Sequence, residues 1–134
     1  MDDSKLAFKA LTTILVVSDL QRSKSFYVDI LGASLFREYG GNSAVLEFLG
    51  NWILLVTPAG PTEDKPGAHF VTPPKLENVS HCFTLRVDNC KESYEILKSN
   101  GAQFLTPPLD RGSETRCFFR DPDGHLFEIS EFRN

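Results

Sequence analysis

The sequence predicts an α+β fold built from two tandem βαβββ modules, whose mixed sheets curve toward a barrel-like cavity. Three observations predict it. The order strand, helix, strand, strand, strand occurs twice within 134 residues. Landmarks recur at a spacing of 69 residues, Asp19 with Asp88 and Gly32-Ala33 with Gly101-Ala102. A stretch rich in Pro, Gly and charge separates the two runs. Module one therefore covers about residues 10–57, the connector 58–78 and module two about 80–132 of one domain.

Residues 12–17 are β-branched and apolar, which reads as a strand. Ser18 and Asp19 are N-cap types, and one of them opens a helix over 20–31 with Phe26, Ile30 and Leu31 on its apolar face. Gly32 is the natural C-terminal stop. Strands follow at 34–39, 43–49 and 52–57, with Gly40-Gly41-Asn42 and Gly50-Asn51 as the turns. In module two a strand at 81–87 leads to a helix at 89–99, with Tyr94 and Leu97 inward. Strands at 102–106, 114–120 and 125–132 close the chain, the last two joined by Asp121-Pro122-Asp123-Gly124.

A net charge of −4 provides no basic footprint for nucleic acid and no polybasic patch for a membrane surface. The apolar runs at 14–17 and 52–56 are too short to span a bilayer, and the polar start at residues 1–5 is no secretory signal. Three cysteines without CxxC spacing argue against a disulfide framework and point to the cytoplasm.

The string VVSDLQRSKSFY at 16–27, followed by Ile30-Leu31-Gly32, resembles the first strand and helix of the vicinal-oxygen-chelate superfamily, which holds glyoxalases, bleomycin-resistance proteins and extradiol dioxygenases. FFRDPDGHLFEI at 118–129 resembles its closing hairpin, and the resemblance spans about residues 10–132. It implies metal ligands at four equivalent points. On the first strand of each module the point lies seven residues before the turn Asp, at Thr12 and at His81. Near the end of each module it falls on Leu54 or Leu55 and on Glu128, four residues after Gly124. The expected metal set is His81 and Glu128 on one divalent ion (zinc, nickel, manganese or iron), held weakly or not at all. A divalent metal in an enzyme needs about three protein ligands, and leucine supplies none.

The resemblance also implies a small-molecule ligand in the inter-module cavity and a homodimer. Glu128 is then the catalytic carboxylate of a glyoxalase-type lyase or isomerase, with Thr12, Arg116 and Trp52 binding substrate. The alternatives are a metal-free binding protein of the bleomycin-resistance kind, or a metal-dependent dioxygenase or thiol transferase. Alternation alone leaves Glu128 open, since it shares a strand face with Leu126 and Ser130, which could be the solvent side. His125, three residues earlier, takes the other face and reads as a turn or surface residue. His69 reads as a loop residue of the connector.

Overall fold

The computed structural model describes residues 6–133; the polar start at residues 1–5 lies outside them. Module one runs β1 (Thr12–Val16), α1 (Leu20–Ser25), a π-helical turn (Phe26–Ile30), β2 (Ser34–Tyr39), β3 (Ser43–Phe48) and β4 (Asn51–Val56). Module two runs β5 (Phe83–Arg86), α2 (Cys90–Ser99), β6 (Gln103–Phe104), β7 (Leu109–Asp110), β8 (Glu114–Arg120) and β9 (Leu126–Phe132). The sheets have the same plan, β1-β4-β3-β2 and β5-β9-β8-β6, and β7 adds to β8. In each sheet the first strand is parallel to the last and the others are antiparallel. Among the described residues no strand pair joins the two sheets, so they do not close into a barrel.

The helix caps correct the repeat spacing. Asp19 caps α1 by accepting from the Arg22 N–H, and Asn89 caps α2 by accepting from the Glu92 N–H. Asp19 is thus equivalent to Asn89, 70 residues on, and not to Asp88. The spacing returns to 69 at Gly32 and Gly101 because module one carries one extra residue in its helix. Ala33 N–H reaches back six residues to Tyr27 O, whereas Ala102 N–H reaches back five to Leu97 O. The π-helical turn absorbs that residue.

The ladders confirm the shift. Ile14 pairs with Leu54 and Thr84 with Glu128, while Val17 N–H donates to Val56 O and Val87 N–H to Ser130 O. Leu54, not Leu55, is therefore the module-one counterpart of Glu128. The strand expected from His81 begins only at Phe83. Its partner strand β9 begins at Leu126, after the turn in which His125 N–H donates to Asp121 Oδ1 and His125 O accepts from Asp121 N–H.

One face of each sheet packs into a shared core. Leu15, Val17, Ala44, Leu46, Ile53 and Leu55 supply it from module one, and Cys117, Phe119, Phe127 and Ile129 from module two. Alternation sends the intervening residues to the opposite, open faces. The modules are fastened by the Asp-Pro-Asp-Gly turn. Tyr27 Oη donates to Asp121 Oδ2 at 2.7 Å. Asp123 accepts from Ser18 N–H at 3.0 Å and from Ser23 Oγ at 3.3 Å. His125 Nε2 lies 2.8 Å from Val16 O. His125 is consequently buried, not a surface residue; the turn presses it against β1.

Candidate functional site

The open face of module one is largely apolar, with Glu47 paired to Trp52 and Arg37 to Val45 toward its edge. Thr12 pairs with Trp52 and Ile14 with Leu54 on β1 and β4, and Phe36 meets Trp52 edge-on with ring centroids 5.3 Å apart. Ile14 and Phe36 are 45% and 60% exposed, so no described residue covers that face completely. Thr12 and Trp52, both expected to bind substrate, stand side by side upon it.

The open face of module two is polar and tightly bonded. Thr84, Glu128 and Phe118 form one row across β5, β9 and β8, and Arg86, Ser130 and Arg116 form the next. Glu128 is buried; Thr84 Oγ1 donates to its Oε1 at 2.5 Å, and Arg116 Nε lies 3.7 Å from its Oε2. Arg116 also donates to Glu114 Oε2 at 3.2 Å. Arg86 Nη1 donates to Ser130 Oγ at 2.7 Å, and Ser130 Oγ donates to Glu114 Oε1. Two carboxylates and two guanidiniums thus alternate along one face, with hydroxyls between them.

The expected pairing of His81 with Glu128 is replaced by another. With Asp19 equivalent to Asn89, the counterpart of Thr12 is Cys82. Cys82 shares strand parity with Thr84, on the Glu128 face. Burial and then the Glu128 charge push its thiol above the ordinary value. His81 shares parity with Phe83, whose ring it meets edge-on at 5.8 Å, and it borders a cavity of about 220 Å³ under the connector. A larger groove of about 830 Å³ lies between the module-one helix and the Asp121–Gly124 turn. Thr12, Trp52, Arg116 and Glu128 line neither.

The four points that the resemblance marks for ligands therefore fall on Thr12, Leu54, Cys82 and Glu128. Leu54 has no donor atom, and a neutral hydroxyl is a poor ligand for borderline metals. Cys82 is the one soft donor of the set, and partial burial and the Glu128 charge raise its thiol above the ordinary value. Glu128 has both oxygens engaged. Among the described residues no cluster of three or more His, Cys, Asp or Glu side chains surrounds one point. This donor set does not fit a divalent metal.

A profile of the Glyoxalase/Bleomycin resistance protein/Dioxygenase superfamily matches residues 9–129. The chain belongs to that superfamily. It is 29% identical to a lactoylglutathione lyase of Salmonella typhimurium over 144 aligned positions, covering 94% of each chain. It is 29% identical to the metallothiol transferase FosB of Staphylococcus saprophyticus, over 84% of this chain and 70% of that one. A glyoxalase/bleomycin resistance protein/dioxygenase from Nocardioides superposes with a TM-score of 0.76 at 22% identity, covering 97% of this chain and 87% of that one; that likeness speaks for the fold.

Sequence reasoning brought Thr12, Trp52, Arg116 and Glu128 onto open sheet faces but missed Cys82, Thr84, Arg86, Glu114 and Ser130. A signal for Cys82 was present. Asn89 with Glu92 three residues on has capping-box spacing, whereas Asp88 is followed at that distance by Lys91.

Proposed function

We propose that this protein binds a small molecule between the apolar open face of module one and the polar open face of module two, the latter from a second copy, without a metal at the family's four points. The observation that carries this reading is the set Thr12, Leu54, Cys82 and Glu128, in which Glu128 is already bonded to Thr84 and Arg116. A homodimer supplies what one chain lacks, because the exposed apolar face around Ile14, Phe36 and Trp52 requires a cover. Three free cysteines, two of them buried, suit the cytoplasm, and no helix among the described residues is long and apolar enough to cross a membrane.

The second reading is a lyase or isomerase in which Glu128 moves a proton. It is favoured by the lactoylglutathione lyases among the relatives. Trp52 is the sole tryptophan and sits on the proposed face, so its fluorescence reports ligand directly. Titration with anilinonaphthalene sulfonate and with S-lactoylglutathione should quench Trp52 in untagged protein stripped of metal. Stoichiometric zinc or nickel that raises lyase turnover and disappears in Glu128→Gln would overturn the metal-free reading.

A further inference from the structure

We propose that Arg86, Ser130 and Arg116 form an oxyanion cradle, which Glu114 occupies in the free chain and which the carboxylate, phosphate or sulfonate oxygens of a ligand take over by displacing it. The three donors stand in one row on neighbouring strands β5, β9 and β8. They converge on a single carboxylate. Ser130 Oγ donates to Glu114 Oε1, Arg86 Nη1 lies 3.6 Å from the same oxygen, and Arg116 Nη1 lies 3.2 Å from Oε2. The cradle therefore already holds an oxyanion, and that oxyanion is part of the chain.

The polarity of the set is fixed. Ser130 is fully buried, and its hydroxyl accepts from Arg86. Its one proton is thereby turned toward Glu114. Each guanidinium is seated against an aromatic ring, Arg86 at 5.3 Å from the Phe132 centroid and Arg116 at 5.9 Å from that of Phe118. Donors held in place before the ligand arrives bind oxyanions strongly, because little ordering remains to be done. Glu114's carboxyl is held below the ordinary carboxylate range, chiefly by the Ser130 hydrogen bond and then by the arginines. That is the response expected of a group inside an anion site.

Glu114 is also placed to leave. It is the first residue of β8, after the glycine turn at Gly112. Rotation about its side chain frees both oxygens without breaking a ladder hydrogen bond. Glu128, in mid-strand, is enclosed by comparison. The side chain of Arg86 is 60% exposed, which leaves the cradle open to solvent. The proposal rests on the reading that the open face of module two bears the ligand, and it adds the chemical class of the group bound there.

The test uses inorganic phosphate and acetate as probes, titrated calorimetrically into the full chain. Glu114→Ala and the isosteric Glu114→Gln should bind phosphate at least about tenfold tighter than wild type, the factor expected when the competent state is populated about a tenth of the time. Adding Arg116→Ala or Ser130→Ala to Glu114→Ala should abolish the gain. Glu38→Ala, which frees Lys24 from its 2.9 Å ion pair, should bring no gain. Equal phosphate affinity in wild type and both Glu114 variants would overturn the cradle, as would a gain that survives Arg116→Ala. Each titration is run above and below the concentration at which copies associate. A phosphate gain in a protein that stays monomeric would sink the two-copy reading and leave the cradle standing. Quenching of Trp52 by aromatic sulfonate without any phosphate gain would do the reverse.

Discussion

Replacing Tyr27 by Phe isolates the hydrogen bond that fastens the two modules. Tyr27 is fully buried and donates at 2.7 Å to Asp121 Oδ2, while Asp121 Oδ1 accepts from the Asp123 and His125 N–H groups. The ring survives the substitution, so its packing on Phe26 and Phe127 is kept. What is lost is the hydroxyl donor to Oδ2. A hydrogen bond to a charged group contributes about 1.5–3 kcal/mol, and stranding a buried acceptor costs about 1–3 kcal/mol. We expect a loss of about 2 kcal/mol at neutral pH, or about 8 °C in Tm at roughly 4 °C per kcal/mol for a domain of this size.

The pH dependence gives the prediction its sign. Burial already raises the Asp121 pKa above the ordinary value, and the Tyr27 hydrogen bond opposes that rise. Removing the bond lifts the folded pKa further. A raised folded pKa means that the native state binds more protons than the unfolded state across the window between the two values, so stability falls as pH rises through it. The deficit of Tyr27→Phe should be greatest above that window and shrink on acidification toward the unfolded Asp value of about 3.9. Urea unfolding followed by circular dichroism at pH 7.5 and 4.5 measures both. A deficit below about 0.5 kcal/mol, or one that does not change with pH, would refute the reasoning.

The corrected repeat makes a metal prediction. Thr12→His/Leu54→Glu/Cys82→His should bind zinc stoichiometrically in calorimetry and should be indifferent to His81→Ala, whereas Thr12→His alone should gain little. Gly124 has φ +100°, and a Cβ there would lie 2.2 Å from Leu76 Cδ2. Gly124→Ala should therefore cost about 1–3 kcal/mol, and a double-mutant cycle with Leu76→Ala should recover only the steric part, because the backbone strain remains. Ile14→Asp, on the open face, should turn the proposed dimer into a monomer in sedimentation while leaving the circular-dichroism spectrum of the folded chain unchanged, since Ile14 is already half exposed within one copy.

Much of the architecture was legible because it is written in local pattern. β2 at Ser34–Tyr39 and β8 at Glu114–Arg120 fall on the residues that alternation predicts, and both helices begin behind Asx caps. The misreadings arose where long-range hydrogen bonds overruled local preference. β5 begins two residues late, at Phe83, and His125 was drawn inward by Val16 O, 109 residues away in sequence. β7 is a two-residue strand that exists only because β8 lies beside it.

The candidate site divides in the same way. Sequence by itself determined that the chain has two βαβββ modules and that Glu128 follows the closing turn. By its resemblance it also put a leucine, Leu54 or Leu55, where the family carries a carboxylate in the first module. Which residue answers Thr12 depended on whether Asp88 or Asn89 caps α2, and both are cap-forming types. That choice was settled by the Asn89 bond to Glu92 N–H and by an extra helical residue absorbed in a π-helical turn. A one-residue slip moves every side chain of a strand to the other face, so it exchanges His81 for Cys82. The cradle of Arg86, Ser130 and Arg116 needed the tertiary structure outright. Its members lie 44 and 14 residues apart in sequence, and only the pairing of β5 and β8 on either side of β9 brings three donors to one carboxylate.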